Sequence, residues 1–580
     1  MRGDDDDFEI RPGRSRAAGQ GAGRKVQTLG AQVRRAAAKA GNTRRGPSRG
    51  KGTGAYGRGR TARLRSRSSA SARRVVIKAR VVRHKGTRFR AAPLARHLAY
   101  LKRDGVTRDG ADASMFDARS DNADGDAFAE RCEDDRHHFR FIVSPEDAGQ
   151  MTDLKAFTRE LMDEMARDLG TKLDWVAVDH WNTDNPHVHV LVRGVDETGA
   201  DLVIDRDYIR EGMRSRAQEL VTIELGPRTE REIRAALERD VGADRWTGLD
   251  RQLEHLADES TGIVDLRPST GDDADRRRLL IGRAQKLERL GLADPQGPGR
   301  WSIRPGAEPA LRDLSIRTDI IKTMHRAMSH DGPVDIGSFA LHAAPPSDPV
   351  IGRLVERGLH DELAGSAYAV VDGADGRVHH LRFDTIEMTG DAKPGAIVEL
   401  RSWEDARGQT RTSLATRSDL SLGRQVEAPG ATWLDRQLVA REPGATGNGF
   451  GLAIRDAMEA RSRHLEAEGL ARRQGQGFLF ETGLIDKLKA RELETATAAI
   501  AARTGLEHKP STAGEYVSGI YRERVTLASG RFAMIDNGLG FQLVPWSPAL
   551  DGHLGEHVRG IMGPGGGVNW SLGRGRGIGI

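Results

Sequence analysis

Hydrophobic positions acquire a regular period only from about residue 74 onward. Residues 75–82 (VVIKARVV) read as a strand with interspersed cations, suited to a sheet edge that faces phosphates. Residues 93–103 read as a helix, with Pro93 at its start, Gly105 past its end and an apolar stripe of Leu94, Leu98 and Leu101. An acidic, Gly/Asp-rich connection over 104–135 leads to a second strand at 137–143. Ser144-Pro-Glu-Asp147 then carries a cap, a proline and an acid in the order that opens a helix. Leu154, Phe157, Leu161 and Met165 continue at helical spacing and are assigned to the core. Two Val- and Trp-rich runs, 174–181 and 186–193, flank Thr-Asp-Asn-Pro and form an expected antiparallel hairpin, and a helix over 207–225 closes the domain. The fold class is therefore α/β: an antiparallel sheet with helices on one side over residues 74–226.

A mixed α+β region follows. Residues 276–293 and 299–303 read as helix, turn and strand, similar to the second half of a winged helix, which makes 227–330 a candidate DNA-binding module. An ordinary amphipathic helix packed on a hairpin fits the same residues equally. Leu249-Asp-Arg-Gln-Leu253 recurs as Leu434-Asp-Arg-Gln-Leu438, each beside a tryptophan (Trp246, Trp433), which suggests two related helices. Residues 366–400 alternate with Asp-Gly turns, so a small β-barrel is expected within 331–430. Residues 431–562 read as mixed α+β. The Gly-rich stretch 563–580 reads as a flexible tail whose Arg574 and Arg576 are candidate contacts for a secretion coupling protein. Residues 1–73, rich in Gly, Arg, Ala and Ser, read as a disordered leader.

Charge sharpens this division. The net charge of +6 hides a stretch from Ile10 to Arg103 with 28 Lys and Arg and no Asp or Glu, leaving −22 on the rest. Such a segment binds polyanions by counterion release, with DNA or RNA as the expected target; a tail that binds nucleic acid incidentally has the same composition. One cysteine excludes an internal disulfide framework and fits a reducing compartment. No apolar run approaches the roughly 18 residues of a membrane span and the first residues lack a signal-peptide core, so the chain is expected in the cytoplasm.

The hairpin carries the chemistry. With 182–185 as its loop, His180 stands opposite His187, and strand alternation puts His180, His187 and His189 on one face with Val188, Val190 and Val192 on the other. Facing Cβ atoms lie roughly 5 Å apart, so three imidazoles can hold one divalent ion and leave positions open for a substrate oxygen. Asp179, Asn182 and Asp184 are candidate acceptors that fix the imidazole tautomers. The competing reading is a structural hairpin with unligated histidines. On the helix over 93–103, Tyr100 lies away from the leucine stripe on the side of Arg96 and Arg103, where a phosphate would be held for attack.

His180-x6-His187-x-His189, the Asp-Asn-Pro-His-x-His core, the strand before Ser144-Pro-Glu-Asp147 and the upstream tyrosine together resemble the relaxases of conjugative and mobilisable DNA, in particular the mobilisation nucleases related to the T-DNA border endonuclease. The similarity covers about residues 75–226. It implies a histidine-hydrophobic-histidine endonuclease fold and a transesterification dependent on Mg²⁺ or Mn²⁺. The tyrosine attacks single-stranded DNA at a transfer origin and stays on the 5′ end, leaving a 3′ hydroxyl. By motif the nucleophile falls on Tyr100, the metal ligands on His180, His187 and His189, and a DNA-positioning serine on Ser144. Lys78, Arg80, Arg83, Arg96 and Arg103 join Ser144 as DNA contacts. Asn182 stands where many members carry an aspartate. A secretion coupling protein of the type IV system and accessory relaxosome proteins are the implied partners. Two other functions fit parts of the chain: a non-enzymatic plasmid DNA-binding factor, and a histidine-triad-like nucleotide hydrolase.

Overall fold

The structure is a computed structural model of the 580-residue chain. It describes residues 58–59, 71–84, 94, 97–98, 101–102 and 113–572, apart from short gaps at 182–184, 261, 270–272, 330–334, 343, 347, 406–407, 441–446 and 565. The chain divides into two compact units, Met1–Thr323 and Met324–Ile580.

The first unit opens on a four-stranded antiparallel sheet of β1 (Val75–Arg83), β2 (His137–Pro145), β3 (Trp175–His180) and β4 (His187–Arg193), in the order β1-β2-β4-β3. The central pairs bury both faces. Val188, Val190 and Val192 pack with Trp175 and Ala177 against the helices Leu154–Leu169 and Met213–Leu225. Val176, Val178 and Leu191 point the other way, into a second cluster with Leu94, Leu98, Leu101 and the helix Gly125–Arg131. Helices therefore cover the sheet on two sides rather than one. The cause lies in the hairpin strands, which are apolar at both parities, as strands buried on both faces must be. Each fully buried Val or Leu of this kind is worth about 1.5–3 kcal/mol relative to exposure.

The helix expected at Ser144 starts later. Pairing with β1 holds β2 extended as far as Pro145, opposite Val75. The helix Leu154–Leu169 begins instead after Asp153, whose carboxylate accepts from the amides of Lys155 and Ala156 at 2.8 and 3.1 Å, and it ends at Gly170 with φ +64°. Its four expected core residues are all buried. Ahead of Met213–Leu225 the chain makes a π-helical turn, Tyr208–Gly212, in which a Cβ on residue 212 would come within 2.5 Å of the Tyr208 ring.

The expected leader touches this domain at two described places. Arg58 donates its amide to the Val203 carbonyl and pairs with Asp196 at 2.6 Å. Arg73 is buried and pairs with Asp147 at 3.0 Å and Glu232 at 3.1 Å. Apart from 58–59 and 71–73, residues 1–73 lie outside the described residues.

The unit continues through α4 (Glu230–Gly242), α5 (Gly248–Glu259), β5 (Val264–Asp265), α6 (Ala274–Arg289) and the hairpin β6–β7 (Ala293–Pro295, Arg300–Ile303), numbering the helices of the preceding domain α1 to α3. These strands form a sheet of order β5-β7-β6. The next helix, α7 (Ala307–Met328), contains the division between the units.

In the second unit, β8 (Phe339–Leu341), β9 (Ile351–Asp361), β10 (Ser366–Gly373), β11 (Val378–Phe383), β12 (Ile397–Glu404) and β13 (Thr410–Ser418) form a six-stranded sheet of order β13-β12-β9-β10-β11-β8. Its outer strands, Phe339–Leu341 and Thr410–Ser418, have no pairing with each other among the described residues, so the expected barrel is an open sheet. Helices α8 (Leu422–Val426), α9 (Trp433–Leu438) and α10 (Phe450–Ala467), a hairpin β14–β15 (Ala471–Gln474, Gly477–Phe480) and α11 (Leu484–Thr504) follow. A five-stranded antiparallel sheet between Tyr516 and Trp570 ends the described chain.

Candidate metal and nuclease site

The hairpin register is the one its sequence predicts: His180 pairs with His187, Asp179 with Val188 and Val178 with His189. The three imidazoles share the face that carries Val178 and Leu191, and all three are buried. Their ring centroids lie 4.5 to 5.4 Å apart, and one ligating atom from each falls within 4.8 Å of the others. His187 Nε2 and His189 Nε2 are separated by 3.1 Å. Two nitrogens held at about 2.1 Å from one ion at right angles stand about 3 Å apart, so this pair already has ligand spacing.

Main-chain carbonyls set the tautomers. His187 Nδ1 donates to the Asn185 carbonyl at 3.0 Å, which leaves Nε2 with the lone pair. His180 Nε2 donates to the Leu101 carbonyl at 2.9 Å, which leaves the lone pair on Nδ1. Asp179 does not serve as such an acceptor. Strand alternation turns it to the opposite face, where it accepts from Trp181 Nε1 at 2.6 Å. Asn182 and Asp184 lie outside the described residues. With its lone pair there, His187 Nε2 accepts from His189 Nε2. A buried three-imidazole set of this kind fits a divalent metal.

The contact between His180 and Leu101 joins residues 79 apart in sequence and brings the segment of Leu94, Leu98 and Leu101 against the triad. Tyr100, Arg96 and Arg103 lie outside the described residues. Of the described tyrosines, Tyr208 is buried with its hydroxyl donating to Asp168 at 3.0 Å; desolvation by burial, and then the Asp168 charge, push its pKa up. Tyr368 is buried and bonded to Glu356, Tyr521 is buried, and Tyr516 is exposed in the second unit.

The face of the triad continues across β2 and β1. Lys78 pairs with Ile142 and Ile142 with His189; Arg80 pairs with Arg140 and Arg140 with Leu191. Lys78 and Arg80 therefore share the histidine face, whereas Arg83 has the parity of Val75 and Ile77 and belongs to the other side. Ser144, two residues beyond Ile142, has the histidine-face parity, is buried, and donates to the Pro186 carbonyl at 3.5 Å. A further group lies on β2. Arg140 Nε donates to His138 Nε2 at 3.0 Å, His138 Nδ1 to His84 Nε2 at 2.8 Å, and His84 Nδ1 to the Asp135 carbonyl. Burial, then the charges of Arg140, His84 and His137, push the pKa of His138 down to about 2. The neutral ring thus keeps its lone pair for Arg140. His137, on the opposite parity, bonds the Leu202 carbonyl at 3.0 Å. Cys132 is buried in the second cluster, and desolvation raises its thiol pKa to about 12.

Comparison with known proteins agrees with this geometry. The family model described as "Relaxase: MobA/VirD2-like, nuclease domain" matches residues 100–222, a stretch that begins at Tyr100 and contains the whole hairpin. A second, "Protein of unknown function (DUF3363)", matches residues 280–412 and 401–579. No curated protein and no solved structure matches the chain. With a match over half its length to DUF3363, the chain belongs to the DUF3363 family, and it carries a MobA/VirD2-like relaxase nuclease domain around its histidine hairpin.

Proposed function

We propose that the protein nicks one strand of DNA at a transfer origin, with Tyr100 as nucleophile, and remains on the 5′ end of the cut strand to pilot its transfer. The observation that carries this reading is the hydrogen bond from His180 to the carbonyl of Leu101, the residue after Tyr100 in sequence, within a cluster of three buried imidazoles. His180, His187 and His189 would hold Mg²⁺ or Mn²⁺, which supplies positive charge against the oxygens of the scissile phosphate. The tyrosine oxygen forms a bond to phosphorus as the bond to the 3′ oxygen breaks; the phenol gives up a proton and the departing oxygen gains one. The resulting phosphotyrosine ester conserves the bond energy, so rejoining needs no external source.

Single-stranded DNA suits the site because a buried triad is reached by one strand more readily than by a duplex. Lys78 and Arg80 on the same sheet face would contact its phosphates, and Ser144 would position it. Arg83, on the other face, would contact a different stretch of DNA. Asn182 and Asp184 remain candidates for orienting the metal ligands, and Arg96 and Arg103 for holding the phosphate. A type IV secretion coupling protein and accessory relaxosome proteins complete the proposed assembly in the cytoplasm. The nucleotide-hydrolase alternative is weaker: the third alternate histidine of such a run would stand at Leu191, which is buried in an apolar cluster.

The test incubates the full chain with single-stranded DNA flanking its own gene, with Mg²⁺ or Mn²⁺ and then with chelator, and maps adducts by peptide mass. A metal-dependent adduct on Tyr100, lost in Tyr100→Phe and in His189→Ala, is the expected result. An adduct on another tyrosine overturns the nucleophile, and DNA binding without cleavage overturns the enzyme reading.

A further inference from the structure

The two units contain the same structural device. Thr247 caps α5 and shares its Oγ1 and amide with Asp250 Oδ2, at 2.8 and 2.6 Å; Thr432 caps α9 and does the same with Asp435, at 2.8 and 2.7 Å. Each aspartate is then gripped by an arginine with no solvent exposure from the next long helix. Arg283 Nε and Nη2 meet Asp250 at 2.7 and 2.9 Å, and Arg461 Nε and Nη2 meet Asp435 at 2.8 and 2.9 Å. Arg283 also donates to the carbonyls of Val241, Ala243 and Arg245, which precede Thr247 by six, four and two residues. Arg461 donates to those of Val426, Ala428 and Gly430, which precede Thr432 by the same intervals. Past the arginines the sequences stay in step: Gly291-Leu-Ala293 and Gln296-Gly-x-Gly299 recur as Gly469-Leu-Ala471 and Gln474-Gly-x-Gly477, all 178 positions on, like Arg461 from Arg283. In both copies a helix runs straight into a β-hairpin and a further helix. This is one module present twice.

The copies differ on their surfaces. The outward stripe of α6 is Ala274, Arg278, Gln285 and Arg289, all exposed; the equivalent positions of α10 are Leu452, Asp456, Arg463 and Ala467, also all exposed. Helix and hairpin of the first copy, residues 274–304, carry eight Lys and Arg against three Asp and Glu, while the rest of 227–328 carries 11 against 15. The same stretch of the second copy, residues 452–482, carries five of each. The exposed stripe thus carries two arginines and no acid in the first copy, against one arginine and one aspartate in the second.

We infer that the first copy binds duplex DNA, with α6 in the major groove and Arg278, Gln285 and Arg289 toward bases and phosphates, and that the second copy keeps the scaffold without this activity. Helix followed by hairpin is the winged-helix arrangement, and Arg and Gln are side chains that read base edges. The site is separate from the histidine hairpin and does not depend on nicking.

The experiment measures binding of a fluorescent 30-base-pair duplex by the full chain in chelator over a salt series. Arg278→Glu with Arg289→Glu should weaken binding about tenfold or more and lower the slope of log affinity against log salt by about two. Arg455→Glu with Arg463→Glu, which changes net charge equally on the second copy, should alter affinity less than twofold. Equal weakening by both pairs would reduce the effect to overall charge, and no weakening by the first pair would remove the site; either overturns the inference. Tyr100 adduct formation on single-stranded DNA should persist in both double variants, so the outcome is independent of the nicking proposal.

Discussion

At the scale of single residues, His138 shows how burial converts a histidine into a fixed acceptor. Its pKa is pushed down to about 2 within a group formed by Arg140, His84, His137 and the Asp135 carbonyl. In the unfolded chain the same ring titrates near 6.5. Below pH 6.5 the unfolded state therefore takes up a proton that the native state refuses. The stabilisation is full above that pH and is lost as pH falls toward 2, by about 2 kcal/mol at pH 5. Burial lowers the pKa of His84 and of His380, the latter to about 3, and both act in the same direction. Thermal melts at pH 7.5 and 5.0 should show a loss of stability that is smaller in His138→Gln; an equal loss in the variant would exclude His138 as a source. The triad could be read from sequence because alternation in a short hairpin fixes which histidines share a face. Its acceptors could not, because every residue has a carbonyl and only the fold selects those of Asn185 and Leu101. Asp179 looked suitable by chemistry and failed by parity.

At the scale of elements, the repeated cap-and-arginine device is where the fold is most exposed to a single change. Arg283 and Asp250 are both fully buried, and removing one partner leaves the other charge without compensation. Arg283→Met should cost about 3–5 kcal/mol, and adding Asp250→Leu should recover much of it, since a buried ion pair replaced by apolar groups is often near neutral. Urea unfolding of the single and double variants measures this, and strictly additive losses would contradict it. The five-residue repeat was visible in the sequence, yet its meaning was not. The arginine follows the aspartate by 33 residues in one copy and 26 in the other, so no fixed spacing marks the pair. Element types were legible wherever period and caps agreed, as for Leu154–Leu169. They were misplaced at Ser144, where a good local helix signal lost to strand pairing that extends to Pro145.

At the scale of the molecule, the proposed nicking role implies that electrostatics separate how strongly DNA is held from where it is cut. Residues 11–57 contribute 12 Lys and Arg, and the described contacts of this region with the nuclease domain begin only at Arg58, through Asp196 and the carbonyls of Leu169 and Gly170. Contacts of that leader with DNA would be made to phosphates and would be blind to sequence, each adding about 0.9 to the salt slope of binding. The buried triad, by contrast, is shielded from bulk salt, because screening acts on exposed charges far more than on groups enclosed by apolar side chains. Deleting residues 2–57 while keeping Arg58 should therefore lower the salt slope for DNA by several units and weaken binding most at low salt. Mn²⁺ affinity, followed by titration calorimetry, and adduct yield at saturating protein should stay within about twofold of the full chain. An unchanged slope would place the DNA-holding charge on the folded domains, on the face of Lys78 and Arg80 and on α6, and would leave the leader without a part in binding.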